Sequence, residues 1–250
     1  MEQALNSPED TRVAATSAPP RKRRRILRVL GYIVLALAVI ALVAHFVWRA
    51  SGSNEWELAK DENGVKLWTL KTPGSGLVRV RGLVEVDSRL AGMMTLIEDL
   101  DSCVDAFCYD EKRLDQIPSV KGRAATYVRY KFDIPGLKTR DYVLFAERNQ
   151  QPGNNQVDVN VIAAPNRLPR DECCVRVTHL HNHWKLTPLP NGKLEIDFMQ
   201  DTDLGGLPYF FTNFALTEGT FQVLRDMQSI LDKDRYKNAV VEDIREYGEN

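Results

Sequence analysis

His179, His181 and His183 alternate along one short segment. In an extended strand, residues i and i+2 share a face about 6.7 Å apart, so the three imidazoles would form a row that invites a metal reading. Zinc–nitrogen bonds of about 2.0–2.1 Å let two neighbouring rings share an ion, but not three rings in line. No Cys, His or carboxylate set at ligand spacing completes a site, so the expectation is a solvated polar face, with no metal and no cofactor. Cys173 and Cys174 are adjacent, a spacing that does not bridge readily. Cys103 and Cys108 lie five apart; one disulfide is open to them in an oxidising compartment, and spacing alone does not decide the pairing. No histidine motif accompanies a cysteine to make it a nucleophile. Asp197 and Asp201 could do acid–base work if burial separated their pKa values; the competing reading is a solvent-facing row with Glu195. A Gly-rich phosphate loop, a nucleophile elbow and an HExxH motif do not occur. The chain is therefore expected to have no catalytic residues.

The charge balance narrows the partners. Of 33 Lys+Arg and 34 Asp+Glu, residues 1–50 hold eight and three, which leaves 25 and 31 for residues 51–250. A net of −6 over that stretch is a poor footprint for nucleic acid, which calls for a concentrated basic face. Two hundred residues suffice for one domain with a real core. Four cysteines in 250 residues do not make a disulfide scaffold, and no 20–50-residue period marks a solenoid.

Residues 29–48 carry no formal charge, and Arg28 and Arg49 bracket them. As a helix this stretch is about 30 Å long, the hydrocarbon thickness of a bilayer, and Trp48 sits where an interfacial aromatic is favoured. The run Arg21–Arg25 precedes it, and basic residues stay on the cytoplasmic side. The expected organisation is a disordered basic cytoplasmic tail (1–25), a transmembrane signal-anchor helix (26–49), a short linker (50–54), a folded domain (55–235) and an acidic tail (236–250). The folded domain would then face the periplasm, outside the inner membrane. A cleaved export signal is the alternative, because small residues at 50–52 could be cut and residues 23–28 loosely resemble a twin-arginine signal.

Beyond Trp56 the pattern turns globular. Val65–Leu70 and Leu77–Val86 read as strands, and Ser88 could cap a helix over 89–100. Residues 101–118 read as short helix and loop. Strands follow at 125–132, 142–147, 156–163, 174–186 and 193–200, with Pro135-Gly136, Pro152-Gly153 and Asn191-Gly192 among the turns between them. No interval has room for a crossover helix, so the pairing should be antiparallel. After Gly205-Gly206-Leu207-Pro208, the residues Phe210, Phe214, Thr217, Phe221, Leu224, Gln228 and Leu231 recur at helical spacing over roughly seven turns. An antiparallel sheet followed by one long aromatic-faced helix is an α+β plan; the helix either fills the core or stands off over a cavity. The last residues, from Tyr236, read as a frayed helix.

Three segments resemble the START domain, the steroidogenic-acute-regulatory-related lipid-transfer module. They are Trp56-Glu57-Leu58 with Asp61-Glu62-Asn63-Gly64-Val65-Lys66-Leu67; Pro135-Gly136-Leu137-Lys138-Thr139-Arg140-Asp141-Tyr142-Val143; and Trp184-Lys185-Leu186-Thr187-Pro188 with residues 201–208 and Asn213. The resemblance runs in order from about residue 55 to 235. It implies a helix-grip fold, in which a curved antiparallel sheet wraps the long C-terminal helix and a tunnel between them holds one lipid. The implied lipid-binding residues are Tyr127, Arg129, Tyr142, Leu144, Ala146, Asp197, Met199, Phe210, Phe214, Thr217, Phe221 and Leu224. Gly205, Gly206 and Pro208, with Pro165 at the start of a mobile loop over 165–172, would form the hinge of the cover. Some steroid-binding relatives place a carboxylate and an arginine in the tunnel; here those positions fall near Tyr127 and Ala146, so the ion pair is absent. Asp105-Ala106-Phe107 stands where the family often has a Trp. Side-chain alternation makes Val128, Tyr130 and Phe132 the apolar face of their strand, which conflicts with an inward Tyr127 unless a bulge intervenes.

Burying a methylene is worth about 0.8 kcal/mol, so a carrier gains most by enclosing a whole tail under a movable cover. The expectation is a membrane-tethered, non-enzymatic lipid-binding or lipid-transfer protein. Its partners are a lipid (phospholipid, sterol or other amphiphile) and the membrane, with any protein partner unknown. The alternatives are an enzyme on a related grip scaffold (cyclase, hydrolase or iron-dependent oxygenase) and a lipid-sensing receptor or scaffold.

Overall fold

A computed structural model describes residues 21–120 and 122–249. The reading of residues 1–20 as disordered lies outside the described residues. The chain divides into two units, Met1–Trp48 and Arg49–Asn250. In the first, helix α1 (Arg21–Ala50) begins at the basic run, so Arg21–Arg25 is helical and not part of a disordered tail. Its large apolar side chains, from Ile26 to Val47, are exposed on every side. It is the one helix among the described residues long and apolar enough to cross a membrane, a property signal sequences share.

The second unit is built on a ten-stranded, almost wholly antiparallel sheet in the order β1-β2-β3-β10-β9-β7-β6-β5-β4. The strands are β1 (Trp56–Glu62), β2 (Val65–Lys71), β3 (Val78–Val86), β4 (Cys108–Val120), β5 (Arg123–Phe132), β6 (Arg140–Gln150), β7 (Val157–Ala163), β8 (Val175–Arg176), β9 (His179–Pro188) and β10 (Leu194–Asp203). The single strand expected over 174–186 is two pieces. β8 pairs in parallel with the start of β6, whereas β9 joins β7 and β10. The charged stretch expected as helix and loop is a 3-10 turn (Leu100–Ala106) followed by β4. β4 tolerates Pro118 because it is an edge strand, and its three register shifts against β5 suit an edge.

Alternation fixes the two faces. Val78, Val80, Val84 and Val86 of β3, Leu194, Ile196 and Phe198 of β10, and Leu186 of β9 form one buried core. Helix α3 (Tyr209–Leu231) packs there with Leu216, Phe221, Leu224, Met227 and Leu231. Its close approach needs Gly82, where an added Cβ would lie 2.2 Å from Leu224 Cδ1. Helix α2 (Leu90–Glu98) buries Leu90, Met93 and Met94 in the same core. Its free N-terminal amides are not capped by Ser88. Those of Leu90 and Ala91 donate instead to the Glu246 carboxylate at 3.0 and 2.9 Å.

That contact reflects a larger difference. The tail expected as a frayed helix makes one short turn, α4 (Asp234–Lys237), and then runs back over the domain as a strap. Arg89 donates to the Ala239 carbonyl (2.9 Å), Gln150 to the Arg245 carbonyl (2.7 Å), and Asn155 to the carbonyls of Glu246 and Glu249 (2.7 and 2.8 Å).

Candidate functional site

A cavity of 440 Å³ opens on the inner face of β5, β6 and β7. Thr126, Val128 and Tyr130, Ala146 and Arg148, and Val159 form its floor. The end of α2, the 3-10 turn and the strap residues Glu242 and Asp243 form its roof. Register explains the floor: Thr126 faces Ala146, Val128 faces Leu144, and Tyr130 faces Tyr142. Beyond the lining, Tyr142 and Leu144 pack with Val177 and Leu180 in a second apolar cluster. The stacked Tyr130 and Tyr142 rings have centroids 5.1 Å apart. Burial pushes the Tyr142 phenol up to about 12 and that of Tyr130 higher still, so both keep their protons as neutral hydroxyls.

One end of the cavity is polar. Arg148, with its side chain 3% exposed, lies 3.0 Å from Glu98 of α2 and also meets Asp243 of the strap. Burial raises the Glu98 carboxyl above its ordinary range, against the pull of Arg148.

The Arg140-Asp141 pair serves two faces at once, as alternation requires. Inward, the buried Arg140 guanidinium donates to the carbonyls of Leu204 (2.7 Å), Gly205 (3.2 Å) and Lys138. It thereby pins the turn that leads into α3. Gly205 and Gly206 take φ of +75° and +67° in that turn, a region open to glycine. Outward, Asp141 accepts from Arg176 and Arg129, both at 2.9 Å. Arg176 in turn donates to the carbonyls of Pro165, Leu168 and Pro169, which ties down the loop expected to be mobile.

Of the residues expected to bind lipid, Ala146 lines the cavity, and Tyr142 and Leu144 lie on the same face of β6. Tyr127 and Arg129 lie on the opposite face. β5 and β6 pair without a bulge, so alternation places Val128 and Tyr130 inside and their neighbours outside. Tyr127 packs on Phe145 (4.9 Å between centroids) under Arg167 (4.6 Å). Arg129 joins Asp141, Asp171 and Asp110, while Lys131 holds the carboxyls of Asp110 and Asp171 below their usual range. Asp197 and Met199 are also outside, with the Glu195 row; Asp197 pairs with Arg81 at 2.6 Å. On α3, Phe221 and Leu224 are core residues, Thr217 is half-buried, and Phe210 and Phe214 are 77% and 65% exposed. No α3 residue lines the cavity. Arg148, Glu98 and Asp243 were not among the expected residues. Arg148 continues the parity of Tyr142, Leu144 and Ala146, a signal present in the sequence; its carboxylate partners come from distant segments.

Two of the three imidazoles meet separate carboxylates on the outer face. His179 lies 2.9 Å from Asp201 and His183 lies 3.2 Å from Asp158. Both cysteine pairs are bonded, Cys103 to Cys108 and Cys173 to Cys174. The adjacent pair thus bridges, contrary to expectation. Asp171 brings a carboxylate within 4.8 Å of both sulfurs of that pair.

No protein-family model matches the chain. An uncharacterized protein of Pseudomonas aeruginosa is 28% identical over 209 residues, which cover 82% of this chain and 98% of that protein. A STAR-related lipid transfer protein fragment from Xanthomonas axonopodis superposes with a TM-score of 0.59 at 22% identity, over 70% of this chain and 98% of that one. Human StAR-related lipid transfer protein 5 superposes at 0.62 and 18% identity, over 82% and 98%. Human StarD13 superposes at 0.62 and 12%, over 78% and 97%. The chain has the START fold. The strand order, the terminal helix α3 against the sheet and the Arg-Asp start of β6 are thus parts of a START architecture, as the resemblance implied.

Proposed function

We propose that this protein is a membrane-tethered, non-enzymatic lipid-binding protein that exchanges one hydrophobic ligand with the bilayer holding its N-terminal helix. The observation that carries the reading is the 440 Å³ cavity with a largely apolar floor, Val128, Tyr130, Ala146 and Val159, inside a START fold. The basic run at the start of α1 supports an inside N-terminus, with the START domain on the periplasmic side. Val128, Ala146 and Val159 form the inner wall that meets the ligand, and Tyr142 and Leu144 continue the same face of β6 beyond it. Gly205 and Gly206, ahead of Pro208, are the hinge of α3, and Arg140 is its latch; the cover over the cavity itself is α2, the 3-10 turn and the strap. Phe210 and Phe214, exposed on α3, meet the bilayer surface during exchange. Phe221 and Leu224 hold α3 to the core while its first turns move. The loop that starts at Pro165 yields only if the Arg176 contacts open.

Native mass spectrometry of the full chain, released from mild detergent, tests the reading. One lipid should remain bound per chain. Ala146→Trp, with its fold checked by circular dichroism, should lose that lipid by filling the cavity. Bare wild-type protein under every extraction condition would exclude the proposal.

A further inference from the structure

Cys173 and Cys174 are neighbours in the chain, so their disulfide closes no loop of backbone and restrains the unfolded chain very little. Consecutive Cα atoms lie about 3.8 Å apart across a trans peptide, short of the roughly 4.4–6.8 Å over which a disulfide best resists reduction. Here the separation is 3.7 Å. Cys103–Cys108 is the contrast within the same chain. Its Cα atoms are 4.9 Å apart, inside that range, it ties the 3-10 turn to the start of β4, and Cys103 is buried.

The surroundings leave the adjacent pair open to attack. Cys173 is exposed and Cys174 half-buried. An open groove lined by Arg129 and residues 168–172 lies directly before them in the chain. The Asp171 carboxylate comes within 4.8 Å of both sulfurs, but Arg129 and Lys131, each 3.1 Å from it, counter its charge, so a thiolate released there meets no uncompensated anion. The pair also ends the loop over 165–172. The Cys173 amide donates to the Asp171 carboxylate and the Cys174 amide to the Asp171 carbonyl, both at 3.3 Å, in a turn that the disulfide clamps. Arg176, which holds the carbonyls of Pro165, Leu168 and Pro169, follows two residues later.

We propose that Cys173–Cys174 is a thiol–disulfide exchange site whose co-substrate is a dithiol, and that its reduction loosens the loop over residues 165–172. A thiolate of the dithiol attacks the exposed Cys173 sulfur and forms a mixed disulfide, while the electron pair of the broken bond leaves on the Cys174 sulfur, which takes a proton. The second thiol of the dithiol loses its proton and displaces the Cys173 sulfur, which is protonated in turn. The pair gains two electrons and two protons, and the dithiol becomes a disulfide.

Dithiothreitol is the probe, used on the full chain in mild detergent. After equilibration at graded ratios of reduced to oxidised dithiothreitol, free thiols are trapped with a maleimide and mapped by mass spectrometry. Cys173 and Cys174 should be half-reduced at a ratio about tenfold or more below that for Cys103 and Cys108, a gap of about 30 mV for a two-electron couple. Equal or greater resistance of the adjacent pair would overturn the proposal, as would finding Cys173 and Cys174 as free thiols under excess oxidised dithiothreitol. Trypsin cutting after the exposed Arg167 and Arg170 should rise severalfold at a ratio that opens only the adjacent pair. The Cys173→Ser/Cys174→Ser double variant should be cut at that raised rate with or without dithiothreitol. Unchanged cutting of the wild type, or a further rise in the double variant on reduction, would overturn the link between this bond and the loop.

Discussion

At the scale of single residues, the ionic groups around β6 divide into those that hold the fold and one that responds to pH. Asp141 is 1% exposed and Arg176 2%, with Arg129 beside them at 14%. Removing one partner of such a set leaves a charge buried and uncompensated, which costs about 3–5 kcal/mol. Asp141→Ala should therefore lower unfolding stability by that amount in chemical denaturation, and protease cutting within residues 165–172 should rise as Arg176 loses its anchor. Glu98 behaves in the opposite sense to the usual paired acid. Burial holds its folded pKa above the unfolded value of about 4.3, so the native state binds more protons between the two. Its stabilising share is complete below the unfolded value and falls away as pH rises through the folded one. Melts from about pH 4 to 8 should show wild type losing stability relative to Glu98→Gln across that window. A constant difference between the two would show that Glu98 titrates alike in both states.

At the scale of elements, α2 depends on a residue far along the chain. Its first amides are satisfied by Glu246, so the strap works as the N-cap of a helix that begins more than 150 residues earlier. Glu246→Ala should cost about 1 kcal/mol, the usual worth of a cap, while Glu246→Gln should recover part of it. Amide exchange should quicken at Leu90 and Ala91 in the alanine variant. If those amides exchange unchanged, the strap is not the cap. The same strap places Asp243 against Arg148, so it both finishes α2 and roofs the cavity.

At the scale of the whole molecule, the sheet wraps two kinds of interior. Around β2, β3 and β10 it closes on α3 with a packed core, where Gly82 admits Leu224. Around β5, β6 and β7 it stays open, and the 440 Å³ hollow lies there, away from α3. The terminal helix is thus the filler of one half of the domain, and the roof of the other half is α2, the 3-10 turn and the strap.

The strands with clean alternation and strong turns, such as β3, β6 and β10, were legible from residue order, because period-2 patterning and Gly or Pro turns are local properties. So were α1, from its uninterrupted apolar run, and the extent of α3. Parity of Tyr142, Leu144 and Ala146 already puts the three on one face of β6, and of these Ala146 lines the cavity. Counting along the resemblance, by contrast, puts Tyr127 in the tunnel, whereas its register against Phe145 puts it outside. Phe210 and Phe214 kept helical spacing with Phe221, yet only the packing of α3 decides which side of the helix is covered. Arg148, Glu98 and Asp243 lie far apart in the chain, and their meeting depends on where α2 and the strap cross β6. Periodicity fixes which residues share a face. What a face is pressed against, and whether a hollow is left beside it, follows from contacts between distant segments.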